Sequence, residues 1–358
     1  MQKMYIGTYS APILMGTGEI YQGNGKGIYC LNFSPENGTL LPSGSPVPAD
    51  NTSFLCFSPD RRFLYAVNEL SENDSAVSAF SLDAAGVPVY INKRLTGGAS
   101  PCHLAVDSRS RLLFAANYGG GSICVFPICR DGSLGEISDL IVHSGHGTDP
   151  MRQESPHVHS VLLSPDETCL FCADLGLDKI FVYEIDYTSG TLAERPGASV
   201  ICSAGSGPRS LTLSPDGKFL CVTEELSNSL SLYAVIENHL SFVQRIPALP
   251  EGSRVPVNYP AEAAYSRDGR FLYISNRGHN SIAVYAAAPD TGVLTPIQWS
   301  PTCGETPRSF TLDASGKWLI AANQDSGSLS IFRRNPDDGR LQFVRTVMQP
   351  TPVCVRIR

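Results

Sequence analysis

Four side chains with complementary chemistry lie far apart along the chain: His159, Arg209, Glu225 and Arg277. A histidine titrates near neutral pH, so it can take a proton from an attacking water. An arginine presents a rigid fork of donors that matches a carboxylate, a phosphate or an oxyanion. A glutamate can orient either group or exchange the proton itself. Brought together, these residues could activate a water molecule and stabilise a developing negative charge, and this chemistry requires no metal ion or other cofactor.

The spacing of these residues follows an internal repeat. Seven strand-like segments recur, namely KMYIGT, FLYAVN, LLFAAN, CLFCAD, FLCVTE, FLYISN and WLIAAN. A period of about fifty residues in strand-rich sequence is typical of a β-propeller. A strand before each segment and two after it complete a unit, with tight turns such as Asp131-Gly132 between them. We therefore predict an all-β fold, a seven-bladed β-propeller with four-stranded antiparallel blades, as a single domain over residues 1–358.

The two ends of the chain belong to one split blade. The N-terminus begins with KMYIGT, the second strand of a unit, and the C-terminus ends with TPVCVRIR, which reads like the first strand of the other units. We expect the C-terminal strand to pair beside the N-terminal strand, because this closes the ring and removes two exposed sheet edges.

The blade topology indicates where chemistry is expected. In an antiparallel blade, the start of the first strand and the end of the second strand lie at the same end. The second residues of the first strands are Ser53, Cys102, His159, Arg209, Ala261, Arg308 and Val353, and the residues after the second strands are Tyr9, Glu69, Tyr118, Leu175, Glu225, Arg277 and Gln324. A purely structural repeat would place similar residues at equivalent positions. We expect the catalytic residues His159, Glu225, Arg209 and Arg277 to lie together at one mouth of the central channel of the propeller. The substrate-binding candidates are Arg308, His157, His103, Tyr118 and Glu69.

Two long insertions, residues 10–26 and 143–158, join strands at this same end. Connections of this length are usually functional or disordered. We expect them to form a rim over a pocket, and disorder of the glycine-rich first insertion is the alternative.

A structural role is the alternative for each candidate. His159 could be a satisfied core histidine, but the equivalent residues Ser53 and Val353 show that a blade does not require histidine there. Arg209 and Arg277 could be surface ion-pair partners, and Glu225 could serve only to neutralise them.

The other candidates carry weaker signals. His157 and His103 either line the channel or hold a loop through a hydrogen bond, and Glu69 repeats the position of Glu225 in another blade.

Composition excludes several classes of partner. The net charge of -7 and the isoelectric point near 5.5 give no general attraction for nucleic acid or for an anionic membrane. The start of the chain lacks a signal-peptide pattern, and no apolar run is long enough to span a bilayer. Eleven cysteines, an odd number scattered through strands, fit a reducing compartment. We expect a cytoplasmic protein, a monomer or weak homo-oligomer, with a small molecule as its partner.

The pair Cys169 and Cys172 spells a C-x-x-C motif within a strand-like segment. Residues three apart on a strand point to opposite faces, so we expect neither a disulfide nor a metal site there.

The sequence resembles the lactonase family of seven-bladed β-propellers, which includes bacterial 6-phosphogluconolactonase and fungal carboxy-cis,cis-muconate cyclase. The resemblance runs from MYIGTYS and GKGIY through PHVHSVLLSPD and GPRSLTLSPDGKFLCVTEELSNSLSLY to YISNRGHNSIAVY and TPRSFTLDASGKWLIAANQDSGSLSIF. It implies that the family's active-site His, Arg, Glu and Arg are His159, Arg209, Glu225 and Arg277. The chain departs from some relatives in having Ser210 where they carry a second histidine.

The resemblance also implies an activity, the hydrolysis of 6-phospho-D-glucono-1,5-lactone to 6-phosphogluconate in the pentose phosphate pathway. Two other functions remain open at this point. A cycloisomerase that makes or opens a lactone without water would use the same side chains, and a non-enzymatic propeller would bind another protein through exposed apolar clusters. Whether His159 or Glu225 is the base also remains open.

Overall fold

The computed structural model describes residues 1–71 and 73–358, and these residues contain strands and turns but no helix, so none of them belongs to a helix able to cross a membrane. The strands in the first half of the chain are β1 (Gln2–Thr8), β2 (Pro12–Leu14), β3 (Ile20–Gln22), β4 (Tyr29–Phe33), β5 (Leu40–Pro42), β6 (Leu55–Phe57), β7 (Phe63–Asn68), β8 (Ala76–Leu82), β9 (Pro88–Leu95), β10 (Pro101–Val106), β11 (Leu112–Asn117), β12 (Ser122–Pro127), β13 (Asp139–Val142), β14 (Val158–Leu163), β15 (Cys169–Asp174), β16 (Lys179–Asp186) and β17 (Thr191–Glu194). The remaining strands are β18 (Val200–Ile201), β19 (Pro208–Leu213), β20 (Phe219–Glu224), β21 (Ser229–Ile236), β22 (His239–Pro247), β23 (Tyr259–Tyr265), β24 (Phe271–Arg277), β25 (Ser281–Ala287), β26 (Leu294–Pro301), β27 (Pro307–Leu312), β28 (Trp318–Asn323), β29 (Ser328–Arg334), β30 (Leu341–Met348) and β31 (Pro352–Ile357).

These strands form seven four-stranded antiparallel blades, which we number along the chain. Blade 1 has the order β31-β1-β4-β5, and blades 2 to 7 are β6–β9, β10–β13, β14–β17, β19–β22, β23–β26 and β27–β30. The short strand β18 pairs with β16, and β2 and β3 form a separate hairpin. The predicted fold class, a seven-bladed β-propeller, is confirmed.

The chain divides into two compact units. The first unit, residues 1–6, 29–45 and 209–358, contains blades 1, 5, 6 and 7. The second unit, residues 7–28 and 46–208, contains blades 2, 3 and 4 and the β2–β3 hairpin. That the whole chain is a single domain stays a prediction.

The sequence of each strand follows its place in the blade. Second strands such as β11 and β20 are buried along their whole length and are apolar on both faces up to the polar residues at their ends, whereas the fourth strand β30 is largely exposed. Apolar clusters join consecutive blades within each unit; Phe114 of blade 3, for example, packs in one cluster with Val161 of blade 4. Burial between neighbouring blades is therefore what holds the repeat together.

Blade 1 is split as predicted. β31 pairs beside β1, and the Arg358 amide donates a hydrogen bond to the Lys3 carbonyl at 2.8 Å. Val355 of β31 is fully buried in a cluster with Met4 of β1 and Ile320 of blade 7. The last strand thus supplies both backbone pairing and core to the start of the chain.

The turns between first and second strands use a serine and an aspartate. In four blades the serine hydroxyl donates to an aspartate two residues later, and these pairs are Ser58–Asp60, Ser164–Asp166, Ser214–Asp216 and Ser266–Asp268. Blades 3 and 7 instead place the carboxylate first, at Asp107 and Asp313. Both arrangements satisfy the amides of a tight turn.

All eleven cysteines are free thiols. Cys169 and Cys172 are buried on the same strand β15, and Cys172 belongs to the apolar cluster between blades 3 and 4. Both therefore act as small apolar side chains of the blade.

Substitution of Val355 by aspartate tests the closing strand. We expect Val355→Asp to lower the free energy of unfolding by about 3 kcal/mol or more, because it buries a charge without a partner. Val344→Asp on the outer strand β30, where the side chain is 40% exposed, is the matched control and should cost about 0.5 kcal/mol or less. Urea unfolding measures both, and equal midpoints for the two variants would contradict a structural role of β31.

Candidate active site

Three of the four predicted catalytic residues meet in the first compact unit. Arg209 is the second residue of β19, Glu225 follows the end of β20, and Arg277 is the last residue of β24. The Glu225 Oε2 atom lies 2.8 Å from Arg209 Nε and 2.5 Å from Arg277 Nη2. The side chains of Arg209 and Glu225 are only 7% and 5% exposed. One buried carboxylate oxygen is therefore shared by two guanidinium groups.

Strand pairing explains this meeting. β19 and β20 are antiparallel neighbours, so the start of β19 and the end of β20 lie together, which brings Arg209 to Glu225. In blade 6, Arg277 lies opposite Tyr259 in the β23–β24 ladder, and its Nε donates to the Tyr259 carbonyl at 3.2 Å. This hydrogen bond fixes the arginine while its other nitrogen reaches Glu225.

The cluster carries more positive than negative charge. Burial, together with the positive charges of Arg277 and Arg308, lowers the pKa of Arg209 to about 9, against the opposing influence of Glu225 and Glu262. Arg209 still holds its proton at neutral pH.

A fourth arginine adds to this excess. Arg356 of β31 places its Nη2 atom 3.6 Å from Glu262 Oε1. Four arginines therefore share the charge of two glutamates, so an anion that enters the cluster is favoured electrostatically.

Arg209 also offers an unused donor. Its Nε atom is buried and close to Glu225, yet the N–H does not point at the carboxylate oxygen in hydrogen-bond geometry. A buried donor without an acceptor costs free energy, and an oxygen atom of a ligand would relieve that cost. The cluster is thus arranged to receive an acceptor.

The second residues of several first strands are set apart by β-bulges. In blade 4, Val158 pairs with Asp174 and Ser160 with Ala173, so His159 is the extra residue of the bulge. Cys102 in blade 3 and Arg308 in blade 7 hold the same place. A bulge re-aims a side chain relative to the two-residue alternation of a regular strand. The repeat therefore uses one backbone irregularity to present its variable residues.

His159 lies in the second compact unit, where it is 9% exposed. Its Nδ1 atom is 3.9 Å from the Cys102 sulfur, and its ring meets the Tyr118 ring edge to face at 5.5 Å. Tyr118 also stacks on His157 at 4.4 Å. Two predicted substrate-binding residues, Tyr118 and His157, thus lie in one aromatic group with His159.

His157 is held in place by its surroundings. Its Nδ1–H donates to the Tyr118 carbonyl at 3.0 Å, its Nε2 atom lies 3.3 Å from Glu154 Oε1, and its backbone N–H donates to Asp174. The first of these contacts fixes the tautomer in which Nδ1 carries the proton.

The other predicted binding residues have different contacts. Glu69 accepts a hydrogen bond from the Tyr9 hydroxyl at 3.0 Å, and both side chains are buried. The His103 ring packs on Phe54 with a centroid separation of 4.1 Å, while its neighbour Cys102 contacts His159. That His159, Glu69 and His103 act on one substrate with the arginine cluster stays a prediction.

The first insertion forms the β2–β3 hairpin and lies over the aromatic group. Gly16, at the tip, comes so close that a β-carbon there would lie 2.6 Å from the Tyr118 hydroxyl and 3.2 Å from Arg152 Nη2. Because Arg152 belongs to the second insertion, the two insertions meet above Tyr118. This arrangement agrees with the predicted rim.

The second insertion is fixed by two buried polar side chains. Gln153 is fully buried, and its amide donates to the Leu175 carbonyl and to Asp178 Oδ1, each at 2.8 Å. His143 bridges Asp174 Oδ2 and the Tyr183 hydroxyl at 2.6 and 2.7 Å. Both ends of the insertion are therefore tied to blade 4.

Sequence reasoning missed Glu262, Arg356 and Cys102 as contributors to these sites. Glu262 lies in a bulge between Pro260 and Ala263, so the alternation of side chains along a regular strand does not predict which way the Glu262 side chain points. Arg356 lies within β31, three residues after the position that the comparison of first strands covered, and has no sequence signal. Cys102 occupied a candidate position but reads as a small apolar residue.

The described residues contain no group of three or more His, Cys, Asp or Glu side chains that could hold a metal ion. The guanidinium groups of the arginine cluster are hydrogen-bond donors, and they suit an anion.

Comparison with known proteins agrees with this architecture. A family model described as "Lactonase, 7-bladed beta-propeller" matches residues 3–357. The chain is 31% identical to the 6-phosphogluconolactonase of Bacillus subtilis, over 98% of this chain and 97% of the relative. It is 32% identical to the 6-phosphogluconolactonase of Formosa agariphila, over 89% and 91%.

A solved structure is equally similar. The periplasmic gluconolactonase of Pseudomonas aeruginosa has a TM-score of 0.91 and 30% identity, covering 99% of this chain and 98% of that one. The resemblance seen in the sequence is thereby confirmed, and the chain belongs to the lactonase family of seven-bladed β-propellers.

Proposed function

We propose that this lactonase hydrolyses 6-phospho-D-glucono-1,5-lactone to 6-phosphogluconate. The observation that carries the proposal is the arginine cluster around Glu225, in which positive charge exceeds the charge of the two glutamates. A phosphorylated lactone presents a dianionic tail and a carbonyl that becomes negative during hydrolysis, so it uses both properties of the cluster. The names of the Bacillus and Formosa relatives point to the same substrate.

The arginines divide the work in this proposal. Arg209 is deeply buried and has an unused N–H, which suits a fixed donor to the carbonyl oxygen as negative charge develops. Arg277 is 11% exposed and Arg308 is half-buried, so both are better placed for the solvated phosphate tail. Preorganised donors of this kind stabilise the transition state more than the bound lactone.

Glu225 acts as a positioning residue in this scheme. Its Oε2 atom contacts two guanidinium groups and so holds both arginines in place. His159 is then the general base. It takes one proton from water as the water oxygen bonds to the carbonyl carbon, and it returns a proton to the ring oxygen as the ester C–O bond breaks.

We place the protein in the cytoplasm as part of this proposal. Its eleven cysteines are all free, which suits a reducing compartment.

The proposal is tested by the hydrolysis of freshly generated 6-phosphogluconolactone, followed as acid release above the spontaneous rate. We expect turnover, with a lower kcat/KM for the unphosphorylated lactone. The product should gain the mass of one water, which distinguishes hydrolysis from cycloisomerisation. Acid release no faster than the spontaneous rate would reject the proposal.

Replacement of the base should slow the chemical step. We expect His159→Ala to lower kcat by about 10²- to 10⁴-fold with a smaller change in KM, because the base acts in the transition state. His239→Ala, at an exposed position on β22, is the control and should leave kcat unchanged. Full activity of His159→Ala would assign the base to Glu225.

Replacement of a phosphate-binding arginine should discriminate between substrates. Arg277→Ala should raise KM for the phosphorylated lactone by about tenfold or more relative to the unphosphorylated lactone, because a charge-assisted contact is worth about 1.5–3 kcal/mol. The exposed residue Arg254 provides the control variant Arg254→Ala. Equal losses for both substrates would show that Arg277 serves the carbonyl and not the phosphate.

Neutralising the shared carboxylate should destabilise the fold. Glu225→Gln leaves Arg209 and Arg277 without their counter-charge, so we expect the free energy of unfolding to fall by about 3 kcal/mol or more. Added phosphate should restore part of this loss, because the anion binds the native arginines. Urea unfolding with and without phosphate, with Glu251→Gln at an exposed site as control, measures this effect. A variant as stable as the control would argue that the carboxylate does not hold the arginines.

A further inference from the structure

A second group of arginines lies in the second compact unit, at the turns of blades 2 and 3. A cavity of about 660 Å³ is lined there by the turns between first and second strands of both blades and by the turn after β12. Four arginines and one aspartate are among the lining residues: Arg62, Arg109, Arg111, Arg130 and Asp60. These residues are not part of the cluster around Glu225.

Two of these arginines have carboxylate partners and two do not. Arg62 Nε lies 2.5 Å from Asp60 Oδ2, and Arg111 Nε lies 3.1 Å from Asp107 Oδ2. Within residues 1–71 and 73–358, Arg109 and Arg130 form no ion pair. The cavity therefore keeps two uncompensated positive charges in a protein whose net charge is -7.

The turn of blade 3 does not require Arg109. In blade 3 the carboxylate of Asp107 accepts the turn amides, including those of Arg111 and Leu112, which leaves the side chain at position 109 unused. Blade 7 builds the same turn around Asp313 and has the neutral Ser315 at the equivalent position.

The turn after β12 does not require Arg130 either. It is closed by a hydrogen bond from the Gly132 amide to the Cys129 carbonyl at 2.9 Å. Blade 2 closes the equivalent turn from Gly86 to Asp83 at the same distance and has Ala84 where blade 3 has Arg130. Folding thus accounts for neither unpaired arginine.

The equivalent place between blades 5 and 6 provides an internal comparison. A smaller cavity of about 190 Å³ lies there, in the first compact unit, and its charged lining residues are Arg267, Arg270, Asp216 and Asp268. Two arginines are balanced by two aspartates. The excess positive charge is therefore a property of the cavity at blades 2 and 3 and not of the repeat.

We propose that this cavity binds a small molecule that carries at least two phosphate groups. Its volume falls within the range of about 300–1,000 Å³ that is typical of ligand sites. Arg109 and Arg130 stand on two different turns, and each offers a fork of donors that matches phosphate oxygens, so a ligand with one phosphate group for each arginine uses both. The apolar side chains Phe63 and Ile128 also line the cavity and can contact the rest of such a molecule.

An exposed cysteine inside the cavity allows a local test. Cys129 lines the cavity, and Cys303, in the first unit, is the other exposed thiol. The alkylation of each by the neutral reagent iodoacetamide can be followed by peptide mass spectrometry, with inorganic pyrophosphate added at constant ionic strength. We expect pyrophosphate to slow the alkylation of Cys129 in a saturable way and to leave Cys303 unaffected.

Variants connect this protection to the arginines. The double variant Arg109→Ala/Arg130→Ala should raise the pyrophosphate concentration for half-protection by about tenfold or more, because two charge-assisted contacts are lost. The control Arg254→Ala/Arg333→Ala removes the same charge from exposed positions in the first unit and should change nothing. Unfolding midpoints of both variants should match that of the parent protein.

Further probes define the ligand. Tripolyphosphate and adenosine diphosphate should protect Cys129 at least as well as pyrophosphate. Tighter binding of adenosine diphosphate than of pyrophosphate would indicate that its nucleoside contacts Phe63. Equal protection by orthophosphate at the same concentration would overturn the requirement for two phosphate groups. The proposal fails if Cys129 shows no saturable protection, if Cys303 is protected equally, or if the two double variants behave alike.

Discussion

The pairing of the first and second strands is the constraint on which the rest of this structure depends. Because the two strands are antiparallel, the second residue of one and the residue that follows the other come together in every blade. Arg209 and Glu225 meet in this way, and the β-bulges at His159 and Arg308 modify the same ladder. The blade can vary these positions freely because the apolar clusters between blades supply its stability.

Charged residues at these variable positions reduce stability, and the arginine cluster is an example. Burying a guanidinium group is unfavourable, and the lowered pKa of Arg209 expresses that cost. Glu225 offsets part of it by accepting contacts from two arginines through one oxygen. Complete neutralisation of the arginines by acidic side chains would favour folding more, but the cluster would then no longer attract an anionic ligand. The excess charge is therefore better explained by ligand binding than by stability.

The sequence predicted the fold well because its signals repeat. The second-strand segments, the turn residues and the split ends each occur in register, so an error in one unit is corrected by six others. The same comparison identified Arg209, Glu225 and Arg277, because the residue type at their two positions varies from blade to blade. The bulges have no such signal, which is why the direction of the Glu262 side chain became visible only in the structure. Arg356 lies at a position of β31 that the comparison of blades did not cover, and its contact with Glu262 likewise appeared only in the structure.

The repeat also separates what folding requires from what it permits. Where several blades solve a local problem with the same residues, as the serine and aspartate turns do, the residue type follows from the backbone. Where one blade departs from the others without a local reason, as at Arg109 and Arg130, the backbone offers no explanation. Ser315 and Ala84 show that neutral residues serve equally well at those two positions. In a repeat protein, each blade is therefore a control for its neighbours, and a charge that only one of them carries points to a ligand.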